Sequence, residues 1–360
     1  MNIGIDIRAF KNGQTGIARY LRNLMDNLQV FDGSNRYFLF EPINLNYQIS
    51  NKKWETICIP SKLPGILWQQ FILPFYFKKY SIDIFWAPEQ IAPIFFSGKT
   101  KIVTTVHDLV VYRFPQSCQK SNLYIQKLLF PQSLRKSATI LPVSEYIKNE
   151  LLSKFQFLKT KDITVVTNAG PQWTIPNDYS PLNRKNYLLC VGNIEPRKNI
   201  IRLIKAFEKI EDSDLKLVIV GPKGWKNTEF YQVIGASPKK SKIVIQGFVT
   251  EEELKTHYLS CKALIYPSVY EGFGIPVLEA FAMDCPVLTS KGTVMEEIAG
   301  DSANYFDPYN IDEIAISIKA LCKREYKFEG SFKKRENIFY NKYNWSKSAQ
   351  QIIKVWDDII

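Results

Sequence analysis

The chain contains short apolar runs, rich in β-branched and aromatic residues, separated by longer amphipathic stretches. Most of these runs are continuously apolar, which is typical of parallel strands that are buried on both faces. The stretches between them are long enough for the helices that connect parallel strands. In the first half, the predicted strands are residues 3–7, 37–40, 57–59, 84–87, 102–106, 140–143 and 163–167.

A second series of the same kind fills the second half of the chain. Its first spacer places Ile200, Leu203, Ile204 and Phe207 at helical spacing, as a helix packed on a sheet requires. The two series together predict an α/β protein with two doubly wound domains that face each other across a cleft. The strands predicted in this half are residues 187–191, 217–220, 243–246, 263–266, 287–289 and 305–306.

A linker is predicted between the two series, at residues 171–182, because Pro171, Pro176 and Pro181 lie there among other turn-forming residues. The N-terminal domain is then residues 1–170 and the C-terminal domain residues 183–345. In doubly wound folds ligands bind beyond the carboxyl ends of the strands. The functional residues should therefore come directly after predicted strands.

The composition is that of a globular protein with enough core material for two domains: 46% of the 360 residues are hydrophobic and 23% are charged. The formal net charge of +12 is concentrated in residues 1–180, which hold 21 Lys and Arg against 12 Asp and Glu. A basic balance is compatible with nucleic acid, anionic lipid or phosphorylated ligands. The chain has no zinc-finger, basic-zipper or RNP-like motif, so no nucleic-acid partner is expected.

The six cysteines form no C-x-x-C pair, which argues against a zinc site and for reduced thiols in the cytosol. The first residues lack the basic segment of a signal peptide. The longest apolar stretch, residues 63–77, is interrupted by Pro and Gln and falls short of the roughly 18 apolar residues of a membrane-spanning helix. We therefore expect a cytoplasmic protein that contacts a membrane, if at all, only peripherally at its inner face.

Two adjacent cations follow the first predicted strand of the second half. Arg197 and Lys198 lie in the segment 192–199 (GNIEPRKN), between a strand and a helix. Two cations beside the positive end of a helix suit a diphosphate group. The alternative is an ordinary solvated basic turn.

Two glutamates follow a later strand, at Glu271 and Glu279 in the segment 266–280 (YPSVYEGFGIPVLEA). Gly272 and Gly274 allow the backbone to approach a ligand closely, and Pro276 suits the first turn of a helix. Both carboxylates can then reach one ligand from different positions. Alternatively, Glu271 is a turn residue and Glu279 a surface charge.

The spacing of these glutamates, E-x7-E, together with residues 192–199, resembles the large family 4 of retaining glycosyltransferases with the GT-B fold, which consists of two Rossmann-like domains. The resemblance covers most of the chain and includes a glycine loop at residues 13–20 (GQTGIARY), a histidine at the end of a strand (His107), and residues 143–146 and 247–254. It also includes Trp345 at the start of a C-terminal helix, which implies that about residues 346–360 pack back on the N-terminal domain.

The resemblance implies roles for individual residues. Arg197 and Lys198 would neutralise the donor diphosphate, Glu271 would bind sugar hydroxyls and Glu279 the ribose hydroxyls, while His107 would lie over the sugar. Many relatives have an arginine where this chain has Asn193, so charge neutralisation would depend more on Arg197 and Lys198. The donor-binding positions that the resemblance implies are Gly13, Gly16, Gly192, Asn193, Phe273, Gly274, Ile275, Leu278 and Glu279.

The implied activity is transfer of a hexose, with mannose or rhamnose favoured, from a nucleotide-diphosphate sugar to a sugar hydroxyl with retention of configuration. Neither a cofactor nor a metal ion is expected. The acceptor would be a growing bacterial polysaccharide such as O-antigen or capsule, linked to polyprenyl diphosphate. The aromatic segment 68–77 with Lys52, Lys53, Lys62, Lys78 and Lys79 is either a core helix with a solvated basic surface or a contact with anionic membrane.

Other interpretations stay open. Asp212 and Asp214 match the D-x-D pattern of metal-dependent transferases, but they precede a predicted strand, which is the wrong end for a ligand. Another enzyme on the same scaffold, an epimerase or a phosphorylase, is possible. So is an inactive sugar-nucleotide-binding protein, although Lys198, Glu271 and Glu279 are all present. Donor hydrolysis by the purified protein would distinguish these classes.

Overall fold

The computed structural model describes residues 1–13, 15–180, 184–222, 224, 228–323 and 338–359, with the backbone alone at positions 12, 339 and 340. Within these residues the chain forms two compact units. The first comprises Met1–Asn168 and Asn344–Ile360, and the second comprises Ala169–Tyr343. Gln14 of the glycine loop and residues 181 and 182 of the predicted linker lie outside the described residues.

The first unit is built on a parallel sheet that has seven strands in the described part of the chain, in the order β3-β2-β1-β4-β5-β6-β7. The chain runs outward from β1 on one side and then returns to start β4 on the other side, which makes β1/β4 the switch point of a doubly wound fold. The strands are β1 (Asn2–Asp6), β2 (Arg36–Glu41), β3 (Trp54–Cys58), β4 (Ile84–Ala87), β5 (Lys101–Val106), β6 (Thr139–Pro142) and β7 (Asp162–Ile163).

Helices connect these parallel strands. Two of them begin at capping residues: the Thr15 hydroxyl accepts the Ala18 amide at 3.3 Å, and the Ser144 hydroxyl accepts the Ile147 amide at 3.2 Å. A π-helical turn, Trp68–Ile72, joins α2 to α3. The helices are α1 (Gly16–Phe31), α2 (Gly65–Leu67), α3 (Leu73–Lys79), α4 (Val110–Arg113), α5 (Lys120–Lys136) and α6 (Glu145–Lys154).

The second unit has a parallel sheet with the order β10-β9-β8-β11-β12-β13. Its switch point lies between β8 and β11. The strands are β8 (Tyr187–Val191), β9 (Lys216–Val220), β10 (Ile243–Gly247), β11 (Ala263–Tyr266), β12 (Val287–Ser290) and β13 (Asn304–Phe306). The helices are α7 (Ile200–Glu208), α8 (Thr228–Ala236), α9 (Glu251–Ser260), α10 (Ile275–Ala282), α11 (Val294–Ala299) and α12 (Ile311–Cys322).

The C-terminal helix, α13 (Trp345–Asp358), belongs to the first unit and packs against α1. Asn344 caps it by accepting the Lys347 amide at 2.9 Å. The buried Trp356 ring meets Trp86 of β4 edge-on, with 6.1 Å between ring centroids. The predicted return of this helix to the N-terminal domain is therefore confirmed.

The predicted fold class is confirmed, since each predicted apolar run overlaps a strand of one of two parallel sheets. The largest differences are at edge strands: β3 begins at Trp54, earlier than predicted, and β7 ends at Ile163. In the aromatic segment 68–77, Trp68 and Phe77 are core residues, whereas Phe71 and Phe75 are exposed. None of the described helices is both long and apolar enough to span a membrane.

Candidate functional site

The candidate site lies at the switch point of the second sheet, where β8 and β11 are neighbours. The loop after β8 carries Arg197 and Lys198, and the loop after β11 carries Glu271. Because parallel strands end at the same edge of a sheet, the two loops meet there. The fold therefore brings together residues that are more than seventy positions apart in the sequence.

Asn199 holds the two loops together. It adopts the left-handed conformation, with φ of 58°, at the start of α7. Its buried side-chain amide donates to the Pro267 carbonyl at 3.1 Å and to the Pro308 carbonyl at 2.6 Å. An asparagine tolerates this backbone conformation better than most residues. The position of Asn199 thus fixes the turn in which the two cations lie.

Arg197, Lys198 and Glu271 form a compact charged cluster. Arg197 Nη1 lies 2.6 Å from Glu271 Oε2, and Lys198 Nζ lies 2.6 Å from Glu271 Oε1. The Ser268 hydroxyl also donates to Glu271, and Lys198 Nζ donates to the Tyr266 hydroxyl at 2.9 Å. One carboxylate therefore orients both cations.

The charged cluster is largely shielded from solvent. The side chains of Arg197, Lys198 and Glu271 are only 19%, 12% and 11% exposed, which excludes a solvated basic turn. Burial alone would raise the pKa of Glu271, but the charges of Arg197 and Lys198 outweigh it and hold this pKa at about 2. Burial lowers the pKa of Lys198, and Glu271 offsets part of that shift. Glu271 is therefore an anion at neutral pH and can accept, but not donate, hydrogen bonds.

In the loop after β8, Glu195 and Gly192 help to position the cations of the cluster. Glu195 accepts from Arg197 Nε at 3.1 Å and from the Asn193 side chain at 3.1 Å. Gly192 has φ of 145°, and a Cβ there would lie 3.3 Å from Lys198 Cε. A side chain at position 192 would thus crowd the path that Lys198 takes to Glu271.

Glu279 lies in a different environment from Glu271. It is in α10, only 2% exposed, and its carboxylate accepts from the Tyr258 hydroxyl of α9 at 2.9 Å. Burial, with the adjacent Glu279 charge, raises the pKa of Tyr258, which therefore stays a donor. The interpretation of Glu279 as a surface charge is excluded.

The residues between the two glutamates form a tight entry into α10. Gly274 has φ of 114°, and a Cβ there would approach the Met295 side chain to 2.7 Å, so this position requires glycine. Phe273 and Leu278 are buried, with the Phe273 ring edge-on to Tyr343 at 5.3 Å. Ile275 is half-buried at the first position of the helix. The contact with Tyr343 therefore anchors the Phe273 side chain of this loop.

The remaining predicted site residues lie in the first unit, beyond β1 and β5. His107 follows β5, and its Nε2 lies 2.8 Å from the Pro88 carbonyl. Because a carbonyl only accepts, Nε2 carries the proton. Burial lowers the pKa of His107 to about 4, with the Pro88 bond opposing the shift, so the ring is neutral near pH 7. Gly13 has φ of 68°, and Gly16 is the first residue of α1.

Asp212 has a structural role, as its position before a strand indicated. Its carboxylate accepts the amides of Asp214 and Leu215 at 2.9 and 3.1 Å, which forms the turn into β9. Among the described residues there is no group of three or more His, Cys, Asp or Glu side chains placed to hold a metal ion.

Several residues of the site had no role in the sequence analysis. Tyr266, Ser268, Asn199 and Glu195 all lie inside the two motif segments, so their proximity could have suggested a contribution. Tyr258 could not have been found, because its contact with Glu279 arises only when α9 and α10 pack together.

Comparison with known proteins identifies relatives of both units of the chain. The family described as "Glycosyl transferases group 1" matches residues 171–345, and "Glycosyltransferase Family 4" matches residues 15–169. The chain is 27% identical over 328 residues to O-antigen chain mannosyltransferase B of Escherichia coli, covering 84% of this chain and 86% of the relative. It is 31% identical over 209 residues to O-antigen chain mannosyltransferase RfbU of Salmonella typhimurium, covering 57% of this chain and 56% of the relative.

Solved structures show the same fold. Sucrose-phosphate synthase from Thermosynechococcus elongatus has a TM-score of 0.75 at 16% identity, covering 100% of this chain and 99% of the other. Anabaena HepE in complex with UDP and glucose has a TM-score of 0.71 at 16% identity, covering 99% of each chain. With family matches across both units, the chain belongs to the group 1 and family 4 glycosyltransferases and is a glycosyltransferase of the GT-B fold.

Proposed function

We propose that the enzyme transfers mannose, or alternatively rhamnose, from a nucleotide-diphosphate sugar to a hydroxyl of a growing bacterial surface polysaccharide, with retention of configuration. The observation that carries the proposal is the convergence of Arg197, Lys198 and Glu271 beyond β8 and β11. The similarity to O-antigen mannosyltransferases supports the choice of sugar and product.

The two cations would bind the donor diphosphate. Arg197 and Lys198 are already oriented and largely desolvated, so their interaction with a phosphate oxygen is stronger than in water. Negative charge grows on the diphosphate as the bond to the sugar breaks, and both cations stabilise that charge most in the transition state. Gly192, Asn193 and the residues from Phe273 to Leu278 would complete the donor site, and Glu279 would bind the ribose hydroxyls.

Glu271 would bind the transferred sugar. With its pKa at about 2 it accepts hydrogen bonds from sugar hydroxyls and supplies no proton near pH 7. The acceptor oxygen would form its bond to the anomeric carbon on the face from which the diphosphate leaves. The bond from that carbon to the phosphate oxygen breaks, and the acceptor proton passes to the leaving phosphate. The protein contributes positioning and electrostatics.

The first unit would serve the acceptor. Neutral His107 would lie over the sugar, and the loop from Gly13 to Gly16 would contribute to diphosphate binding. The acceptor would be linked to polyprenyl diphosphate, and the enzyme would work in the cytoplasm at the inner face of the membrane. The excess of cations in residues 1–180 supports an anionic partner on this part of the chain.

The test is a donor screen with purified protein. GDP-mannose, dTDP-rhamnose and UDP-sugars are incubated with a panel of p-nitrophenyl glycosides, and the anomeric configuration of the product is read by NMR. The product should keep the anomeric configuration of its donor, so that GDP-α-mannose gives an α-mannoside. Conversion of the donor to an isomeric nucleotide sugar would favour an epimerase, phosphate-dependent turnover a phosphorylase, and donor binding without turnover an inactive binding protein. Each of these results would overturn the proposal.

Transfer should not require a metal ion, because Arg197, Lys198 and the amides at the start of α10 would supply the positive charge. We expect EDTA at millimolar concentration to change the initial rate by less than about two-fold. The same preparation after addition of manganese is the control. Strict dependence of the rate on manganese would contradict this charge assignment.

A further inference from the structure

Exposed apolar side chains form a stripe on the helical segment 65–79 of the first unit. Leu67, Phe71 and Phe75 recur at every fourth position, and all three are exposed. In a regular α-helix such a stripe drifts by about 40° at each step. The π-helical turn Trp68–Ile72 has more residues per turn than an α-helix, so each residue advances by a smaller angle and the drift is reduced. The stripe therefore stays on one side, while Trp68 points into the core.

A second exposed pair, Tyr124 and Leu128, lies one turn apart on α5, and Phe95 connects the two helices. The Phe95 ring stacks on Phe71 at 5.2 Å, and Phe95 shares a groove of about 500 Å³ with Leu128. Phe71, Phe95, Leu128, Tyr124 and Phe75 are 50% to 78% exposed. Large apolar side chains exposed together, rather than singly, indicate an interaction surface.

Buried hydrogen bonds hold three segments together: the helical segment 65–79, the loop that carries Phe95, and helix α5. Gln70 donates to the Ala92 carbonyl at 2.9 Å and accepts the Ile94 amide at 2.9 Å, which ties the loop to the first helical segment. Ser133 of α5 accepts the Ala92 amide at 3.1 Å. Both side chains are buried. The exposed apolar residues are thus held by the fold, not by a loose loop.

All the charged side chains of these three segments are positive. Residues 62–80, 90–101 and 120–136 contain no Asp or Glu. Their cations are all exposed, and they are Lys62, Lys78, Lys79, Lys99, Lys101, Lys120, Lys127, Arg135 and Lys136. A protein partner with mixed charges would leave many of them unmatched. A continuous anionic surface matches those beside the apolar residues, among them Arg135 and Lys136, which line the groove with Phe95 and Leu128.

We infer that this aromatic-basic face, formed by Leu67, Phe71, Phe75, Phe95, Tyr124 and Leu128 with the surrounding cations, docks the enzyme on an anionic lipid bilayer. Aromatic rings enter the headgroup region, and each cation near the surface contributes about a five-fold gain in binding. The inference deepens the proposed function and rests on it for the reason why the enzyme would dock on a membrane. Lipid binding itself requires neither donor nor acceptor. The part of segment 68–77 that docks is the exposed stripe; Trp68 and Phe77 remain in the core.

The test is sedimentation with phosphatidylcholine vesicles that contain 0% to about 40% phosphatidylglycerol. The wild type should bind more tightly as the anionic fraction rises, and less tightly as salt rises, because salt screens exposed charges. Phe71→Ser/Phe75→Ser should weaken binding at every composition by about ten-fold or more. Lys78→Glu/Lys127→Glu should weaken binding by at least about 25-fold at the highest phosphatidylglycerol content and reduce, without abolishing, its dependence on phosphatidylglycerol.

Val30→Ser and Lys240→Glu are the controls, since both replace exposed residues outside the three segments that form the face, and both should bind as the wild type does. Thermal unfolding and transfer to a water-soluble glycoside should be unchanged in the Phe71/Phe75 variant. The inference would be overturned if the wild type does not bind vesicles or binds them regardless of lipid charge. It would also be overturned if the control variants lose as much binding as the face variants. A further contradicting result would be that sedimentation velocity shows a dimer for the wild type and a monomer for Phe71→Ser/Phe75→Ser, because the face would then be a dimer interface. Vesicle binding by a protein without transferase activity would sink the proposed function and leave the docking surface intact.

Discussion

At the scale of single residues, similar side chains differ in function because their surroundings differ. Glu271 accepts from two cations, whereas Glu279, eight positions later, is buried and accepts from a neutral tyrosine hydroxyl. The first arrangement keeps a charge ready at the edge of the sheet. The second joins two helices as well as presenting a carboxylate.

Replacing Lys198 with alanine should reduce turnover by about 10²–10³, because the leaving diphosphate loses a cation that acts mainly in the transition state. Arg197 still neutralises Glu271, so the fold should survive. The measurement is kcat and KM for the donor, with thermal unfolding to check the fold. Lys205→Ala, an exposed position on α7, is the matched control and should keep wild-type turnover. Turnover of Lys198→Ala within a few-fold of wild type would refute the role of Lys198.

Glu279 requires a more careful substitution than alanine. Glu279→Ala leaves the buried Tyr258 hydroxyl without its acceptor, which should lower the free energy of unfolding by about 1–3 kcal/mol. Glu279→Gln keeps an acceptor and should change stability little, yet it should raise the donor KM more than it lowers kcat, because ribose contacts act in both ground and transition states. Urea unfolding and donor kinetics measure the two effects. Unchanged donor binding in Glu279→Gln would argue against a ribose contact.

At the scale of elements, the sequence predicted the strands well because buried parallel strands are continuously apolar. It was least accurate at the edges of the first sheet: β3 includes the polar residues Glu55 and Thr56, and β7 is only two residues long. The motif segments 192–199 and 266–280 predicted the charged cluster, since both follow strands. The exposed side of the helical segment 65–79 could not be predicted, because core and surface positions there are equally apolar and the π-helical turn shifts their phase.

The loops after β1 and β4 give a prediction for pH dependence. Asp6 accepts from Arg8 and Gln69, and Glu89 lies 3.8 Å from Arg8 Nη2, too far for a hydrogen bond. Burial, reinforced by the charge of Asp6, raises the pKa of Glu89 to about 7. The folded chain therefore holds this proton more tightly than the unfolded chain, so Glu89 lowers stability as the pH rises from about 4.5 through 7.

Glu89→Gln should remove that loss and be more stable than the wild type at pH 8, by an amount on the order of 2 kcal/mol, while differing little at pH 4. Urea unfolding at both pH values measures the difference. Glu55→Gln, an exposed substitution on β3 of the same unit, is the control. An equal effect of Glu89→Gln at both pH values would show that Glu89 is not the titrating group.

At the scale of the whole molecule, the chain both begins and ends in the first unit. Strand β1 and helix α13 are at opposite ends of the sequence, yet both belong to one core, because α13 packs on α1 and Trp356 meets Trp86 of β4. The second unit is a single continuous stretch, Ala169–Tyr343, with its own core. The stability of the first unit therefore depends on the last residues of the chain.

Trp356→Ala should test this dependence. Removing a fully buried tryptophan leaves a cavity in the first unit and should lower the free energy of its unfolding by about 3–5 kcal/mol. Hydrogen exchange should increase in β1 and β4, while β8, β11 and donor binding change little. Phe207→Ala, in the core of the second unit, is the matched control and should give the opposite distribution. If Trp356→Ala increased exchange equally in both sheets, the two units would unfold as one, and the assignment of α13 to a separate core would be wrong.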